Sequence, residues 1–399
     1  MRILCVHSRY KIRGGEEEVF EAEINLLRQK GHTVDVYQDH NARIDKLGKV
    51  NVALKTIWSQ EAYRAIDTRL TTNNYDIVHV HNFFPLISPS VYYAARAKSV
   101  PVVQTLHNYR LICPNGLFFR QGKVCEDCLG QSIPWSGAWH SCYRDNKAAS
   151  TATVGMLSIH RALQTWQKLV DKYIVLTEFA KAKFIQGGLP PEKIVVKPNF
   201  VAFDPQIGTG ERKYLLYVGR LSVEKGLDVL LNAWKQLDRQ IPLKIVGDGP
   251  LSERVIEATQ QYPNIEWLGR KPIEEVYQLM GEAIAVIIPS KWYETFGRVA
   301  TEAFAKGTPV IASRLGALAE LVEGDLASGE ALRDRVGLCF QPGNDRDLAN
   351  KVQWLLEHPQ ELADMGTAAR KEFEAKYTAQ INYQQLIAIY QSLKSKTYC

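Results

Sequence analysis

The sequence predicts an α/β protein of two domains, each a parallel sheet covered on both faces by helices. Two observations carry this. Short apolar runs of strand character alternate with amphipathic helical stretches almost throughout, the pattern of sheets buried on both sides. The pattern then stops and restarts near the middle of a 399-residue chain, a length beyond what one hydrophobic core usually supports. Two halves of similar size place the expected ligand cleft between carboxyl-terminal strand edges.

Taken in order, the first strand is Ile3–Val6. The apolar run from Met1 to Val6 is too short for the core of a signal peptide and reads as a buried strand. Val19, Ala22, Leu26 and Leu27 then recur at helical spacing, and the helix stops at Lys30-Gly31, a cation followed by a C-cap glycine. Further strands are expected at Thr33–Tyr37, Ile77–His81, Val102–Thr105, Tyr173–Leu176 and Ile194–Lys197. Between Pro198 and Gly210 the periodicity is interrupted by Pro205, Gly208 and Gly210. A second set follows at Tyr214–Val218, Leu243–Val246, Ile265–Leu268, Ala285–Ile288, Val310–Ala312 and Leu338–Phe340. Beyond Pro359 the chain is expected to be helical to its end. There Tyr383, Leu386, Ile387 and Tyr390 form an apolar face that must pack on something.

A hydrophobic content of 46% with 23% charged residues excludes disordered and collagen-like classes. The formal charge of +6 arises from 49 basic and 43 acidic residues spread along the chain. So mild a surplus suits an anionic small substrate or an anionic lipid surface and does not make a nucleic-acid footprint. No apolar stretch approaches the ~20 residues that span a bilayer. With no export signal, the seven cysteines are expected to be reduced, which favours metal or thiol roles over disulfides.

Three segments carry chemistry. In the first, the strand ending Tyr217-Val218 runs into Gly219-Arg220-Leu221, then Lys225-Gly226 and a helix expected over Leu227–Leu237. Glycine admits a close backbone approach, and a helix N-terminus favours an anion. Arg220 supplies a planar fork and Lys225 a point charge, a pair able to neutralise a diphosphate; two solvated cations at a surface turn fit the same residues. Gly247 to Pro250, after the next strand, reads first as a tight turn and second as lining for a nucleotide. No GxGxxG or Walker-type pattern occurs.

In the second segment, a strand ends at Pro289, a loop carries Glu294, and a helix starting near Gly297 carries Glu302. Residues eight apart lie about 80° apart around an ideal helix, so both carboxylates fit one crevice. Carboxylates accept hydrogen bonds from vicinal hydroxyls, which suits a ligand with two polyol rings. The backbone amides of Thr295, Phe296 and Gly297 could meet its phosphate or sugar. First-turn dipole chemistry alone also favours a glutamate at 302.

The third lies in the amino-terminal half. Strand one runs through His7 and several basic residues into Gly14-Gly15 and Glu16-Glu17-Glu18, a good helix start that needs no ligand. Thr105-Leu106-His107-Asn108 ends the fourth strand, where a histidine is commonly a hydrogen-bonded structural residue. His79 and His81 alternate on the preceding strand, so one of them is expected to face the same site.

Together, Gly219-Arg220 with Lys225-Gly226, the ETFG…E element from Glu294 to Glu302, and the early Gly14-Gly15 turn resemble the glycogen-synthase-like retaining glycosyltransferases, family 4 or group 1, of the GT-B fold. The resemblance covers nearly the whole chain in the family's motif order. It implies two Rossmann-like parallel-sheet domains facing each other across a cleft. Residues 1–200 would be the acceptor side with an insertion at 108–149, 201–378 the nucleotide-sugar side, and 379–399 a helix packing back on the first domain. It implies transfer of a sugar from a UDP- or GDP-sugar to a hydroxyl acceptor, in polysaccharide or glycolipid assembly. Glu294 would hold the transferred sugar, Glu302 the ribose, and Arg220 and Lys225 the diphosphate. Gly219, Thr295, Phe296, Gly297 and Val299 would line the donor, with Gly14 and Gly15 near its phosphates, the basic residues upstream facing the acceptor, and His107 in the cleft. The Glu16–Glu18 run departs from a phosphate-friendly surface. The departing phosphate would itself accept the acceptor's proton, so no covalent intermediate is expected. Arg220 and Lys225 stand where other enzymes use magnesium; the chain is read as having no DxD motif, and a catalytic metal is not expected. The acceptor would be a glycan or lipid-linked glycan, and the location cytoplasmic, with peripheral contact to an anionic membrane face. An epimerase or phosphorylase of the same fold, or a zinc-stabilised protein that binds a nucleotide without catalysis, are the competing readings.

Between the fourth strand and the helix after Ser150 lies an irregular stretch with Cys113, Cys125, Cys128 and Cys142. Cys125-Glu126-Asp127-Cys128 is a CxxC knuckle, and the flanking cysteines could complete a structural zinc site, with His140 as a substitute ligand. Free thiols come second and a disulfide last. Four thiolates leave no open position, which argues against a catalytic ion. Tyr109, Phe118, Phe119, Trp135 and Trp139 would build either a small core or a lobe contacting acceptor or membrane.

Overall fold

Every strand expected from the sequence is present in the computed structural model, which describes residues 1–11, 14–237, 240–325, 330–331 and 335–394. The chain divides into two units. The first comprises residues 1–118, 125–198 and the chain from Asn382 onward, and the second Phe119–Val124 with Asn199–Ile381.

In chain order the strands are β1 (Arg2–Arg9), β2 (Thr33–His40), β3 (Ile77–Asn82), β4 (Val102–Thr105), the hairpin β5 (Phe119–Arg120) and β6 (Lys123–Val124), then β7 (Lys172–Val175) and β8 (Ile194–Val196). Six of them form the sheet of the first unit, ordered β2-β1-β3-β4-β7-β8 and parallel throughout. The strands are apolar because helices close both faces: β3 is buried at every residue. Between β1 and β2 the helix Gly15–Gln29 carries its apolar stripe to the sheet. It ends as expected, with Lys30 as C-cap and Gly31 in the left-handed region at φ +84°.

The second set is β9 (Tyr214–Val218), β10 (Leu243–Val246), β11 (Ile265–Gly269), β12 (Ala283–Ile288), β13 (Val310–Ser313), the short pair β14 (Gly324–Asp325) and β15 (Glu330–Ala331), and β16 (Gly337–Phe340). The six-stranded sheet runs β11-β10-β9-β12-β13-β16. Counted within its own unit this is the doubly wound order 3-2-1-4-5-6, and its direction of winding reverses between β9 and β12, where such sheets bind ligands. The two sheets are those of a Rossmann-like α/β pair. The helix after β9 is Leu227–Trp234, three residues shorter than the sequence suggests.

The carboxyl-terminal region is not one helix. Pro359–Lys376 and Ala379–Lys394 are separate, because Val201 pairs with Thr378 and its amide donates to the carbonyl of Tyr377 at 3.0 Å. Residues 395–399, counted in the expected terminal helix, lie outside the described residues. The last helix places Leu386, Tyr390 and Leu393 in one core with Ile3, Phe20, Leu27 and Ile174, and its Lys394 pairs with Asp76 at 2.6 Å. No helix is long and apolar enough to cross a membrane among the described residues.

Leu386 is fully buried. Leu386→Ala is expected to cost about 2–5 kcal/mol through lost transfer energy and a residual cavity, measured by chemical denaturation. A change within about 0.5 kcal/mol, as for an exposed position, would show that this helix is not part of the core.

Candidate functional site

The second unit gathers its polar residues where β9, β10 and β12 end. Backbones meet here too closely for any side chain. A Cβ on Gly226, at φ +71°, would lie 1.7 Å from the carbonyl oxygen of Pro289. One on Gly247, at φ +136°, would lie 1.9 Å from that of Gly219. The Gly247–Pro250 turn is itself tied to the Gly219 loop, because Leu221 N donates to Asp248 O at 2.8 Å.

This approach seats Lys225 against the loop after β12. Glu294 Oε1 accepts from Lys225 Nζ at 2.6 Å, from Ser290 Oγ at 2.8 Å and from Trp292 Nε1 at 3.2 Å. The ammonium also lies 5.2 Å from the centre of the Trp292 ring, within cation–π range. Glu294 is buried to 9% exposure, so three donors compensate its desolvation. Arg220, at the end of β9, is exposed and makes no ion pair among the described residues. The structure thus brings Lys225 and Glu294 into direct contact and leaves Arg220 facing water.

Gly297 caps the helix Arg298–Ala305. Glu302, 7% exposed, accepts from Arg298 Nη2 at 2.8 Å one turn earlier. Phe296 points away into the core, 3% exposed and edge-on to Tyr377 with ring centres 5.9 Å apart, so only its backbone can serve a ligand. Thr295, Gly297 and Val299 are half-buried. A DxD triplet does occur, Asp345-Arg346-Asp347. It is helix-capping chemistry in the first turn of Asp345–Glu357, with Asp347 Oδ2 accepting from Gln341 N at 2.7 Å.

In the first unit a pocket opens at the ends of β1, β3 and β4, lined by Tyr10, Asn82, Phe84, His107, Asn108 and Arg110. Gly14 does not offer its amide there: Gly14 N donates to Glu17 Oε2 at 2.6 Å, while Glu17 Oε1 accepts from Tyr10 N at 2.8 Å. Gly15 begins the helix itself. Of the basic residues upstream, Arg9 pairs with Glu21 at 2.9 Å and Lys11 with Asp45 at 2.5 Å, and Arg13 lies outside the described residues.

His107 lies within hydrogen-bond range of His81, Nε2 to Nδ1 at 3.0 Å. His81 lines the pocket beside it, and His79 does not. Residues two apart on a strand share a face, and their rings are 4.2 Å apart. Burial, then His81 and His7, hold the His107 imidazole well below its usual range. Burial, then His81 and Arg9, push His7 down to about 3.

Two acidic groups take roles that the sequence-based expectations do not assign. Glu16 Oε2 accepts from Tyr10 Oη at 3.0 Å and from Asn108 Nδ2 at 3.4 Å, and burial pushes its carboxyl up to about 8. Glu23 is 2% exposed and pairs with Lys197 at 2.9 Å. The position of Glu23 is a signal in itself, since it interrupts the buried stripe of Phe20, Ile24 and Leu27. Glu23, His79 and His81 present ligand atoms within 4.8 Å of one another, but Lys197 already supplies the cation.

The four cysteines of the insertion gather without closing. Burial pushes the Cys128 thiol up to about 12, with Cys113 and, more weakly, Cys142 and Cys125 adding to it. No three of their sulfurs lie within 4.8 Å of one another, and none of the four forms a disulfide. Cys113 Sγ donates to Asn115 Oδ1 at 2.9 Å, and His140 is exposed. The aromatic residues divide. Tyr109 and Phe118 are buried with ring centres 4.9 Å apart, whereas Trp135 and Trp139 are 66% and 79% exposed.

Residues 202–372 match the family described as Glycosyl transferases group 1, and residues 13–204 match Glycosyltransferase Family 4. The chain is 30% identical over 210 residues to the Uncharacterized glycosyltransferase MJ1178 of Methanocaldococcus jannaschii, a match covering 52% of this chain and 56% of that relative. It is 25% identical over 358 residues to a 42.6 kDa protein in the cps region of Klebsiella pneumoniae, covering 80% of this chain and 87% of that one. Among solved structures, Alr3699/HepE of Anabaena in complex with UDP superposes with a TM-score of 0.69 at 18% identity, covering 98% of this chain and all of that one.

The Glu16 carboxyl gives a pH signature. Its pKa is about 8 in the folded chain against a free value of 4.5. The folded chain therefore keeps a proton that the unfolded chain loses, and the stabilisation, complete below pH 4.5, is lost as pH rises through 8. Glu16→Gln is expected to lose less stability than wild type across that interval, read as denaturation midpoints at a series of pH values. A constant difference between the two proteins would refute it.

Proposed function

We propose that this chain, which belongs to the group 1 and family 4 glycosyltransferases of the GT-B fold, is a retaining enzyme that moves a sugar from a nucleoside diphosphate sugar to a hydroxyl acceptor without a catalytic metal. The observation that carries the reading is the contact of Lys225 with Glu294, beside an exposed Arg220, where the winding of the second sheet reverses.

The contact of Lys225 with Glu294 points to how the donor is received. A diphosphate offers Lys225 a second anionic partner, and Arg220 can grip it bidentately. Glu294 Oε1 is then open to accept from hydroxyls of the transferred sugar, and Glu302, steadied by Arg298, to accept from the ribose. The amides of Thr295, Phe296 and Gly297 and the half-buried Val299 complete the donor side, with Gly219 giving the backbone access. As the bond to the anomeric carbon breaks, its electron pair leaves with the diphosphate, whose charge the two cations meet. The acceptor oxygen attacks from the same face and its proton passes to the departing phosphate. No protein nucleophile is required, and the two cations take the electrostatic role of a metal.

The pocket of Tyr10, Asn82, His107, Asn108 and Arg110 would take the acceptor, a glycan or lipid-linked glycan, with Gly14 and Gly15 structuring its edge. The exposed Trp135 and Trp139 and the net positive charge favour peripheral contact with an anionic membrane on the cytoplasmic side. A UDP- or GDP-sugar fits the clamp equally; UDP is the nucleotide in the HepE complex. An epimerase would release no acceptor product, and a non-catalytic nucleotide binder has no use for a carboxylate poised at a lysine.

A screen of nucleotide sugars, with mass spectrometry of the product, tests the reaction. Arg220→Ala is expected to lower kcat by roughly 10²–10³. Glu294→Ala is expected to lose transfer while nucleoside diphosphate binding, followed by calorimetry, is largely kept. Unchanged turnover in Glu294→Ala would remove that residue from the site.

The four cysteines belong to this reading as a structural zinc site, closed by a small inward movement of the thiols around Cys128. Metal analysis of the purified chain is expected to find about one zinc per chain, lost in Cys128→Ser together with thermal stability. A stable chain free of zinc would leave them as thiols.

A further inference from the structure

Below the pocket of the first unit runs a buried file of polar groups: His107, His81, Glu23, Lys197 and Asn382, with His79 and Tyr390 alongside. We propose that Glu23 is a positioning residue, acting through His81 to fix His107 in the tautomer that carries its proton on Nε2 and offers Nδ1 as an acceptor. The inference rests on the assignment of His107 to the substrate pocket made above.

The argument proceeds from the cation. An ammonium has donors only, and Lys197 Nζ, 1% exposed as a residue, donates to Glu23 Oε2 at 2.9 Å and to Asn382 Oδ1 at 3.2 Å. Burial works against ionised Glu23, but Lys197, His81 and His79 outweigh it and hold the carboxyl well below its usual range. Glu23 is therefore an acceptor only. Its Oε1 lies 3.3 Å from His81 Nε2 and 3.4 Å from His79 Nδ1, and the carboxylate charge favours a proton on that His81 nitrogen. Lys197 already balances Glu23, and a second proton on His81, 3% exposed, would leave an uncompensated buried charge. His81 Nδ1 is then an acceptor, and at 3.0 Å it requires the proton of His107 on Nε2. A neutral imidazole has one proton, which leaves His107 Nδ1 as an acceptor. The two nitrogens of His79 also have hydroxyl partners, Tyr390 Oη at 2.7 Å from Nδ1 and Thr105 Oγ1 at 2.8 Å from Nε2.

Glu23→Gln should reverse the file. Lys197 demands the amide oxygen, so the NH₂ group faces His81 Nε2 and makes it an acceptor. The His81 proton moves to Nδ1, and His107 must accept on Nε2 and carry its own proton on Nδ1. The test is long-range ¹H–¹⁵N NMR of the full chain labelled on histidine. The wild type is expected to show His107 protonated on Nε2 alone, and Glu23→Gln on Nδ1 alone. In the variant kcat is expected to fall about 10–100-fold, as for other residues that orient a reacting group from behind, with nucleoside diphosphate affinity unchanged. His81→Phe, which keeps a ring but no nitrogen, serves if Glu23→Gln does not fold, and should leave His107 a mixture of tautomers. A wild-type His107 protonated on Nδ1, a doubly protonated His81, an unshifted tautomer in the variants, or full turnover with the tautomer reversed would each overturn the proposal. The tautomer is read without turnover, so failure of the transferase reading is seen separately.

Discussion

Gly226 and the carbonyl of Pro289 touch where a Cβ would stand 1.7 Å from that oxygen, and the meeting of Lys225 with Glu294 depends on this contact. Lys225 and Glu294 are 69 residues apart. They meet because the order of the second sheet sets β9 directly beside β12 and because a residue without a side chain follows the lysine. The same device recurs at Gly247 against Gly219. Three strand-end turns are thereby compressed into one small region, which concentrates cations and carboxylates at a single edge of the sheet.

The first unit uses burial where the second uses proximity. Removing Glu23 and Lys197 from water costs several kcal/mol per ion unless each finds partners. Asn382, His81 and His79 supply them. The terminal helix is tied by the same groups, with Asn382 Nδ2 donating to Pro198 O at 2.8 Å and Tyr390 Oη bonded to His79. A buried polar file held by the Lys197–Glu23 pair and by the hydrogen bonds of Asn382 and His79 fixes one arrangement of helix and sheet more sharply than apolar packing alone. It also carries the effect of a buried carboxylate to a histidine at the pocket wall.

The strands were legible because a strand buried on both faces has no choice but to be apolar, and their ends moved by at most two or three residues. Ala283–Ile288 is a longer strand than Ala285–Ile288, and the Leu227 helix ends early. The glutamates of the second unit were legible through their spacing around a helix start. Glu16, Glu23 and Lys197 were not, since a charged residue inside an amphipathic pattern reads as a solvated one until its partner is known. The cysteine spacing was visible too, yet whether thiols close around an ion depends on where the fold sets each sulfur, which spacing does not encode.

By itself the sequence determined the two α/β halves, the order of the motifs along them and the residue types that each motif gathers. These follow from period and local chemistry, which neighbours in the chain already express. The tertiary structure decided which of those groups meet. It paired Lys225 with Glu294, turned Phe296 inward, occupied the Gly14 amide with Glu17, and joined Glu23 to Lys197 across 174 residues. The reason is physical: the charge state and hydrogen-bonding role of a buried group are set by what surrounds it, and those surroundings come from strands and helices distant in sequence.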